Sequence, residues 1–424
     1  MKSKTTTSDN KSKMTSLERK WVLYDVGNSA FTMLTATIMP IYFNHLASTA
    51  GISNTDYLAY WGYATSISTI IVAVFAPALG TMSDAKGRKK IFFMISALLG
   101  CIGCILLGFM QHWLWFLLLF VITKSAYSLS LVFYDAMLPD VTTEERVDDV
   151  SAQGFAWGYI GSCVPFVASV FFATGYKTLG ISMPTAMFIA FALTAVWWLL
   201  LTLPLFKAYR QIHYVEVVDE HPLSATWHRL AHIFSELKEN KQALFFLISF
   251  FFYIDGVYTI INMATAYGEA LGFTSTSLLL ALLLTQVVAF PSAILFGKLA
   301  KKYLTSKLIR VCIFAYFLIG VYAIFLDKPY EFWVLAFSVG LFQGAIQSLS
   351  RSYFTKIIPA EKSGEYFGIY DICGKGAAFV GTFVVSFVTQ LTNNMHLGVA
   401  AIVVLFIIGI IFFQFTAKVA TKNV

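Results

Sequence analysis

The sequence has few charged residues for its length. Only 12% of the 424 residues are Asp, Glu, Lys or Arg, whereas 58% are hydrophobic and the mean hydropathy is +0.71. A soluble domain usually carries about 25% charged residues. So little charge cannot cover a water-facing surface, which excludes an ordinary soluble domain and indicates that lipid surrounds most of the chain.

The sequence also lacks the short motifs of common catalytic and nucleotide-binding sites. No P-loop, G-x-S-x-G or H-E-x-x-H pattern occurs, so we expect no enzyme activity, no cofactor and no bound metal. Its five cysteines lie inside apolar runs, and Cys101 and Cys104 are typical of small residues at a helix contact rather than of redox chemistry. The net charge of +7 does not indicate nucleic-acid binding, because the basic residues occur in short blocks between apolar runs.

The sequence is rich instead in long apolar runs. A membrane-spanning helix needs about 20 mostly apolar residues, and twelve such runs are present. We therefore predict an all-α polytopic membrane protein with a tail (1–20), a six-helix bundle (21–206), a cytoplasmic linker (207–242), a second six-helix bundle (243–417) and a final tail (418–424). The runs lie near 21–47, 57–80, 91–110, 113–135, 153–175, 183–206, 243–268, 277–297, 307–326, 330–352, 366–390 and 396–417.

Lysine and arginine are distributed unevenly between the two sides of these predicted helices. With the N-terminus inside, 26 of the 30 basic residues fall in inner segments and 2 in outer loops. Inner loops of membrane proteins carry this excess of positive charge. We expect both termini to be cytoplasmic. We also expect the membrane to be a bacterial plasma membrane, because the outer loops contain no N-x-[ST] acceptor for glycosylation.

The two groups of six runs share glycine positions. Gly154 and Gly161 in the fifth run recur 220 residues later as Gly374 and Gly381. A six-plus-six repeat around an axis along the membrane normal is the architecture of the major facilitator fold. We therefore predict two pseudo-symmetric bundles with this fold.

The predicted linker contains apolar residues at helical spacing. In residues 224–238, Trp227 and Leu237 lie on one face, which predicts an amphipathic helix at the membrane surface. His228 and His232 are four residues apart in this segment. Both a metal site and incidental surface histidines fit that spacing, and we favour the second.

The segment between the second and third runs has the most specific motif of the sequence. Gly80, Asp84, Gly87 and Arg88 fit the pattern G-x-x-x-D-x-x-G-R-[RK]-[RK], which resembles the major facilitator signature. Asp84 can accept bonds from Arg88 or from the N-terminus of a neighbouring helix, and so act as a cytoplasmic latch. A plain inside-positive anchor is the alternative. In the second half Lys301 replaces the Asp, so we expect that latch to be degenerate or absent.

Four further stretches resemble a narrower family. They are residues 18–30 (ERKWVLYDVGNSA), 133–139 (FYDAMLP), 255–257 (DGV) and 344–352 (GAIQSLSRS). They resemble the autophagy-related vacuolar effluxer-like family, a branch of the major facilitators with many bacterial members. This resemblance implies amino acids as the substrate class, because the best-known member exports them from the fungal vacuole. Val26 departs from the aromatic residue that more usually follows the Asp.

Four predicted helices carry polar residues at helical spacing, although an ionisable group inside a membrane costs at least a few kcal/mol. They are the first, fourth, seventh and tenth runs, which line the central path in the fold that the resemblance implies. Such groups normally face a cavity or a partner. We predict a solute cavity lined by Asp25, Asn28, Thr32, Lys124, Ser128, Asp135, Asp255, Tyr258, Asn262, Gln343, Gln347 and Arg351.

The charged members of this set indicate roles in binding and coupling. A carboxylate in a cavity can bind and release a proton, so Asp25 or Asp255 is a candidate for proton coupling, with sodium as the alternative ion. Lys124 can pair with either aspartate or hold a substrate carboxylate. A role as a helix-end anchor stays open for both aspartates. Asp371 and Lys375 are four residues apart, and we interpret them as a structural intrahelical pair.

These features favour a secondary transporter that works by alternating access, with proton-coupled efflux of amino acids or related compounds as the first interpretation. A cation-coupled sugar or glycoside symporter and a multidrug effluxer are the alternatives within this class. A membrane sensor or scaffold is the alternative outside it. We expect a monomer whose partners are the lipid bilayer, a small solute and a proton or sodium ion.

Overall fold

Twelve long α-helices make up most of the computed structural model, which describes residues 13–216, 235–270 and 275–420. Across these ranges the only β-type pairing is an isolated bridge between Ala85 and Val215. The helices are α1 (Ser16–Thr49), α2 (Asn54–Ser83), α3 (Arg88–Leu107), α4 (Trp113–Ala136), α5 (Val147–Gly175), α6 (Met183–Ala208), α7 (Lys241–Ala270), α8 (Ser275–Leu299), α9 (Thr305–Ile324), α10 (Pro329–Ile357), α11 (Ser363–Thr392) and α12 (Met395–Ala420).

Local sequence signals set several helix ends. α1 begins with a capping box, in which Thr15 Oγ1 accepts from Glu18 N at 3.1 Å and Glu18 Oε2 accepts from Thr15 N at 2.6 Å. Gly87 has a φ of 73° at the turn into α3, a left-handed conformation that favours glycine. A short helix, Leu138–Val141, and a 3₁₀ turn, Ala360–Lys362, precede α5 and α11.

Eleven of the described helices are long and apolar enough to cross a membrane, and α1 falls outside that set. Charged residues occupy the first turns of α1, and Asn28 and several threonines interrupt its apolar stretch. With 34 residues it is nevertheless long enough to span a bilayer. It packs against α5 and α6, so neighbouring helices rather than lipid cover much of its surface.

The helices form two bundles with the same internal arrangement. In the first bundle α1 contacts α5 and α6, α3 contacts α4 and α6, and α2 contacts α4. The helices six positions later make the same pairs in the second bundle. The bundles meet through α2 against α11 and α5 against α8, which are again equivalent pairs. The predicted fold class of two pseudo-symmetric six-helix bundles is confirmed.

One end of the molecule, which we call the basic end, contains the α2–α3 turn (84–87) and the α8–α9 turn (300–304). Lys86, Arg88 and Lys302 are exposed there. The opposite end is called the far end. The basic end is the one that the distribution of lysine and arginine predicts to be cytoplasmic.

Residues 209–216, which follow α6, fold back along the basic end of the first bundle. Val215 N donates to Asp84 O at 2.9 Å, and Tyr209 OH donates to Asp140 Oδ2 at 2.5 Å. The first part of the predicted linker is therefore bound to the first bundle.

The predicted amphipathic helix 224–238 lies mostly outside the described residues. The same holds for His228 and His232, so the structure does not bear on their interpretation. Residues 235–239, at the end of the segment, are helical.

Candidate functional site

A buried ion cluster joins the two bundles. Arg351 of α10 is 2% exposed and reaches into the first bundle. Its Nη1 donates to Asp135 Oδ1 at 2.9 Å, and its Nη2 donates to Asp25 Oδ2 at 3.3 Å. The planar guanidinium presents several donors in a fixed fork, which suits it to bind two carboxylates together. Three of the predicted cavity residues, from α1, α4 and α10, thus form one cross-bundle cluster.

Aromatic rings and α5 enclose this cluster. Arg351 Nε donates to Ser151 Oγ, and its Nη2 donates to Ser151 O, both at 3.0 Å. The guanidinium carbon lies 4.7 Å from the ring centre of Trp21 and 4.3 Å from that of Phe155, within cation–π range. A Cβ on Gly154 would come 2.5 Å from an Asp25 oxygen and 3.0 Å from Arg351 Nη2, so glycine lets α5 pass close to the cluster without displacing these side chains.

Asp255 lies on α7, the equivalent of α1, but has no cationic partner among the described residues. It is fully buried, and its Oδ1 accepts from Gly381 N at 2.8 Å and from Thr259 Oγ1 at 3.3 Å. No described group donates a hydrogen bond to its Oδ2. Asp25 and Asp255 occupy similar positions in the sequence pattern of α1 and α7, but their surroundings differ, because Asp25 is ion-paired and Asp255 is not.

Lys124 pairs with neither of these aspartates, so that sequence-based alternative is wrong. Its Nζ lies 5.7 Å from the centre of the Phe120 ring, and its charge repels that of Lys375 on α11. Lys375 Nζ contacts Asp371 Oδ1 at 2.5 Å, so the predicted intrahelical pair is present. The same ammonium also lies 3.5 Å from Ser128 O on α4. The pair thus faces the first bundle.

The other predicted cavity residues differ in exposure. Asn28 is buried and donates to Asp25 Oδ1 at 3.4 Å, and the buried Gln347 accepts from Tyr159 OH at 2.9 Å. Thr32 and Asn262, which lie farther from the basic end along α1 and α7, are exposed. Also buried are Ser128 and Gln343, whereas Tyr258 is half-buried.

Sequence reasoning missed several groups that complete the ion cluster. Tyr134 OH donates to Asp25 Oδ2 at 2.9 Å, and its ring stacks on Trp21 with 4.3 Å between the ring centres. The sequence did offer a signal for Tyr134 and Trp21, because each lies within about one helical turn of an intramembrane aspartate. Ser151 and Phe155 had no comparable signal, because they lie among ordinary small and apolar residues of α5.

Asp84 joins the bundles at the basic end. Its two oxygens accept from Gly364 N at 2.8 Å and Glu365 N at 2.9 Å, at the start of α11, where N–H groups lack helical partners. Burial raises the pKa of the Asp84 carboxyl, and Lys89, 3.2 Å away, opposes that rise together with the N–H donors. Of the two predicted partners, the helix N-terminus is present. Arg88 is exposed, and the buried cation is Lys89.

Glycines bring the helices of both crossings together. A Cβ on Gly80 of α2 would come 2.2 Å from Gly364 O of α11. A Cβ on Gly297 of α8 would come 2.6 Å from the Ala152 Cβ of α5. Both bundle-to-bundle crossings therefore depend on a glycine at the equivalent position of the repeat.

The α5–α8 crossing has a latch with its acid on the opposite helix. Asp148 Oδ2, at the start of α5, accepts from Lys356 Nζ at 2.5 Å and from Thr305 Oγ1 at 2.9 Å. Its Oδ1 accepts from Ser352 Oγ at 2.6 Å. A charged contact between the bundles is therefore present here as well, but its acid lies on α5 and not at the position equivalent to Asp84, where Lys301 stands. The acid stands on the helix that faces α8, so a comparison of equivalent positions does not detect it.

We expect Asp148→Asn to weaken closure at the basic end, because the facing ammonium loses its buried carboxylate. Asp149→Asn is the matched control: its partner Lys301 is 48% exposed, and such pairs contribute about 0–1 kcal/mol. Spin labels at Glu144→Cys and Lys302→Cys, in a chain without native cysteines, measure the distance between the bundles. A longer-distance population in Asp148→Asn alone is expected, and equal distances in both variants would refute this role.

Comparisons of sequence place the chain among known transporters. It matches the family described as "Vacuole effluxer Atg22 like" over residues 15–147 and 141–422. It is 39% identical over 417 residues to "Uncharacterized MFS-type transporter YxiO" of Bacillus subtilis (strain 168), covering 97% of each chain. It is 24% identical over 385 residues to autophagy-related protein 22 of Eremothecium gossypii, covering 81% of this chain and 74% of that one.

Solved structures of transporters have the same fold. The E. coli fucose:proton symporter FucP aligns with a TM-score of 0.71 at 14% identity, over 95% of this chain and 97% of that one. A bacterial homologue of the iron transporter ferroportin, in an outward-facing state, aligns with a TM-score of 0.70 at 13% identity, over 95% and 99%. The predicted resemblance is confirmed. The chain is a multi-pass membrane transporter rather than an enzyme, and it belongs to the Atg22-like vacuole effluxer family of the major facilitator superfamily.

Proposed function

We propose that this transporter exports amino acids or related compounds and that the export is coupled to protons. The observation that carries the proposal is an imbalance of charge between the bundles. Among the described residues Lys124 has no carboxylate partner and Asp255 has no cation. A solute carboxylate would pair with the ammonium group of Lys124, and a proton would neutralise the carboxylate of Asp255. Both events remove the free-energy cost of an isolated charge in the membrane. The description of the family as a vacuole effluxer supports the direction of transport.

The arrangement fits one state of an alternating-access cycle. The Arg351 cluster and the latches of Asp84 and Asp148 hold the basic end closed. Thr32 and Asn262, which lie farther from the basic end, are exposed. If the basic end and both termini face the cytoplasm of a bacterium, this state is outward-facing. In our proposal a monomer then moves solute by releasing these contacts and closing the far end.

The surroundings of Asp255 favour a proton over a sodium ion. A hard metal cation needs several oxygen ligands. Beside Asp255, the Gly381 N–H points its positive end at the carboxylate, and Thr259 supplies a single hydroxyl. A proton needs only the unpartnered Oδ2. We therefore assign the coupling role to Asp255, and a structural role to the ion-paired Asp25.

We expect Asp255→Asn to uncouple transport from the pH gradient. The amide keeps the shape and the bond to Gly381 N–H but cannot bind and release a proton. In proteoliposomes, gradient-driven movement of labelled solute should disappear, whereas exchange of labelled for unlabelled solute at equal pH should persist. Asp327→Asn, at an exposed aspartate, is the control and should behave as wild type. Gradient-driven transport at the wild-type rate in Asp255→Asn would contradict the assignment.

Thermal unfolding of the purified protein tests the substrate class. A ligand that binds only the folded state stabilises it by about 2.7 kcal/mol at 100 times its Kd. We expect amino acids to raise the Tm more than dipeptides, sugars or common drugs, at acidic or neutral pH. Stabilisation by sugars that requires sodium would favour a symporter instead. A response to many lipophilic drugs would favour multidrug efflux, and no response to any of these compounds would favour a sensor or scaffold.

A further inference from the structure

We infer that Lys124 and Lys375 together form a carboxylate clamp shared by the two bundles, with Asp371 beside it to receive the substrate's ammonium group. This inference rests on the proposed function and specifies where an amino acid would bind. The sequence alone indicates a structural role for Lys375 and Asp371, whereas the fold places Lys375 against α4 of the first bundle.

The two lysines come from different bundles. Lys124 lies in the middle of α4, and Lys375 lies on α11. The Lys375 ammonium lies 3.5 Å from Ser128 O, one turn of α4 away from Lys124. The charges of the two lysines repel each other. Two ammonium groups of like charge, one from each bundle, are thus brought near each other beside α4.

This convergence is unfavourable unless an anion is bound. The 28% exposed Lys375 shares its charge with Asp371, but no carboxylate lies within ion-pair distance of Lys124 in the described part of the chain. The contact of Lys124 with Phe120, at 5.7 Å, compensates only part of the cost of a charge inside a membrane. A carboxylate between the two ammonium groups would remove their repulsion and give each a charge-assisted hydrogen bond.

Asp371 supplies the complementary group. One of its oxygens contacts Lys375 at 2.5 Å. Its Oδ2 is buried and has no hydrogen-bond partner among the described residues. A buried carboxylate oxygen without a donor is costly and is satisfied by a bound cation or N–H group. Adjacent sites for an anion and for an ammonium group match the zwitterion of an α-amino acid.

The clamp also gives the substrate a part in the conformational cycle. Because the lysines belong to different bundles, any rocking of the bundles changes the distance between their ammonium groups. Without an anion, the repulsion between the two ammonium groups favours separation of the two bundles near Lys124 and Lys375. A bound carboxylate bridges them and favours closure over the substrate, so binding energy is available to drive the transition.

Binding of carboxylates and their neutral amides tests the clamp. The ligands are L-alanine, L-leucine and L-phenylalanine, their amides, and the corresponding acids without the amino group. Calorimetry on the purified full chain should show that the wild type prefers at least one amino acid to its amide about tenfold or more, the size expected for a charged hydrogen bond. Lys124→Gln and Lys375→Gln should each lose that preference. Asp371→Asn should weaken binding of the amino acid but should not change binding of the acid that lacks the amino group.

Controls separate binding from folding. Lys328→Gln, at an exposed lysine, should keep the wild-type preference. Because Lys375→Gln leaves Asp371 without its partner, the double variant Asp371→Asn/Lys375→Gln, in which both charges are absent, provides a folded comparison. It should bind the amides more weakly than the wild type, because Asp371 no longer receives their ammonium group, and it should bind an amino acid and its amide about equally. A purely structural role would not change the ratio of these two affinities.

Each outcome decides between the clamp and the proposed function. If Lys375→Gln keeps the preference while Lys124→Gln loses it, the clamp is wrong and amino-acid transport still stands. If the wild type binds acids without the amino group but no amino acid, the substrate class is wrong and the clamp stands. A wild type that binds none of these carboxylates overturns the clamp.

Discussion

Arg351→Met is expected to abolish transport and to lower the stability of the protein by about 3–5 kcal/mol, the usual cost of leaving a buried charge without its partner. The substitution would strand the carboxylates of Asp25 and Asp135 between the bundles. It would also remove the bonds to Ser151 that fasten α10 to α5. Arg351→Lys should recover only part of the loss, because a single ammonium cannot bind both carboxylates with the geometry of the guanidinium fork.

Thermal unfolding and solute counterflow, measured on the same preparations, test this expectation. Arg19→Met, at an exposed arginine of α1, is the control and should match the wild type. Neutralising the stranded acids as well, in Asp25→Asn/Asp135→Asn/Arg351→Met, should restore much of the stability but not transport. An Arg351→Met variant that unfolds and transports as the wild type does would refute the role of the cluster.

Gly80→Ala is expected to prevent full closure of the basic end. The added Cβ would lie 2.2 Å from Gly364 O, and a main-chain atom of α11 cannot move aside alone. Overpacking of this kind costs about 1–3 kcal/mol, which shifts an equilibrium between two conformations about 5- to 150-fold. We expect the same result for Gly364→Ala, whose Cβ would lie 2.6 Å from Gly80 O.

The distance between spin labels on the two bundles at the basic end measures this shift. The wild type should give a short distance, and Gly80→Ala a longer one, together with slower net transport. Gly62→Ala is a matched control on the same helix, because nothing lies within 4 Å of a Cβ there. A short distance in Gly80→Ala equal to that of the control would contradict the close crossing of α2 and α11.

The fold could be predicted from the sequence because lipid imposes a simple pattern on spanning helices. Each of the twelve predicted runs corresponds to a helix, and each helix extends past its apolar run at one end or both. The third and ninth runs, 91–110 and 307–326, end beyond their helices, which stop at Leu107 and Ile324. The second run, 57–80, lies within Asn54–Ser83, and the tenth, 330–352, lies within Pro329–Ile357. The additional turns carry capping and polar residues that lie at the ends of the bundle, where hydropathy no longer indicates a helix.

The candidate site was predictable as a set of residues but not as a set of pairs. Asp25, Asp135 and Arg351 each stood out as charges in apolar helices. Their pairing depends on how the two bundles face each other, which the spacing along one helix does not determine. The same holds for Lys375. Asp371, four residues earlier, accounts for this lysine as an intrahelical ion pair, and the sequence gives no indication that Lys375 also contacts α4.

Movement of a labelled amino acid across proteoliposomes under an imposed pH gradient tests the central claim most directly. The purified wild type should move it in proportion to protein, with a rate that rises with the gradient, and excess unlabelled amino acid should compete. Asp255→Asn should retain exchange without the gradient response. If no amino acid moves under any gradient, or if only a sugar moves and only with sodium, the account of proton-coupled amino-acid transport is wrong.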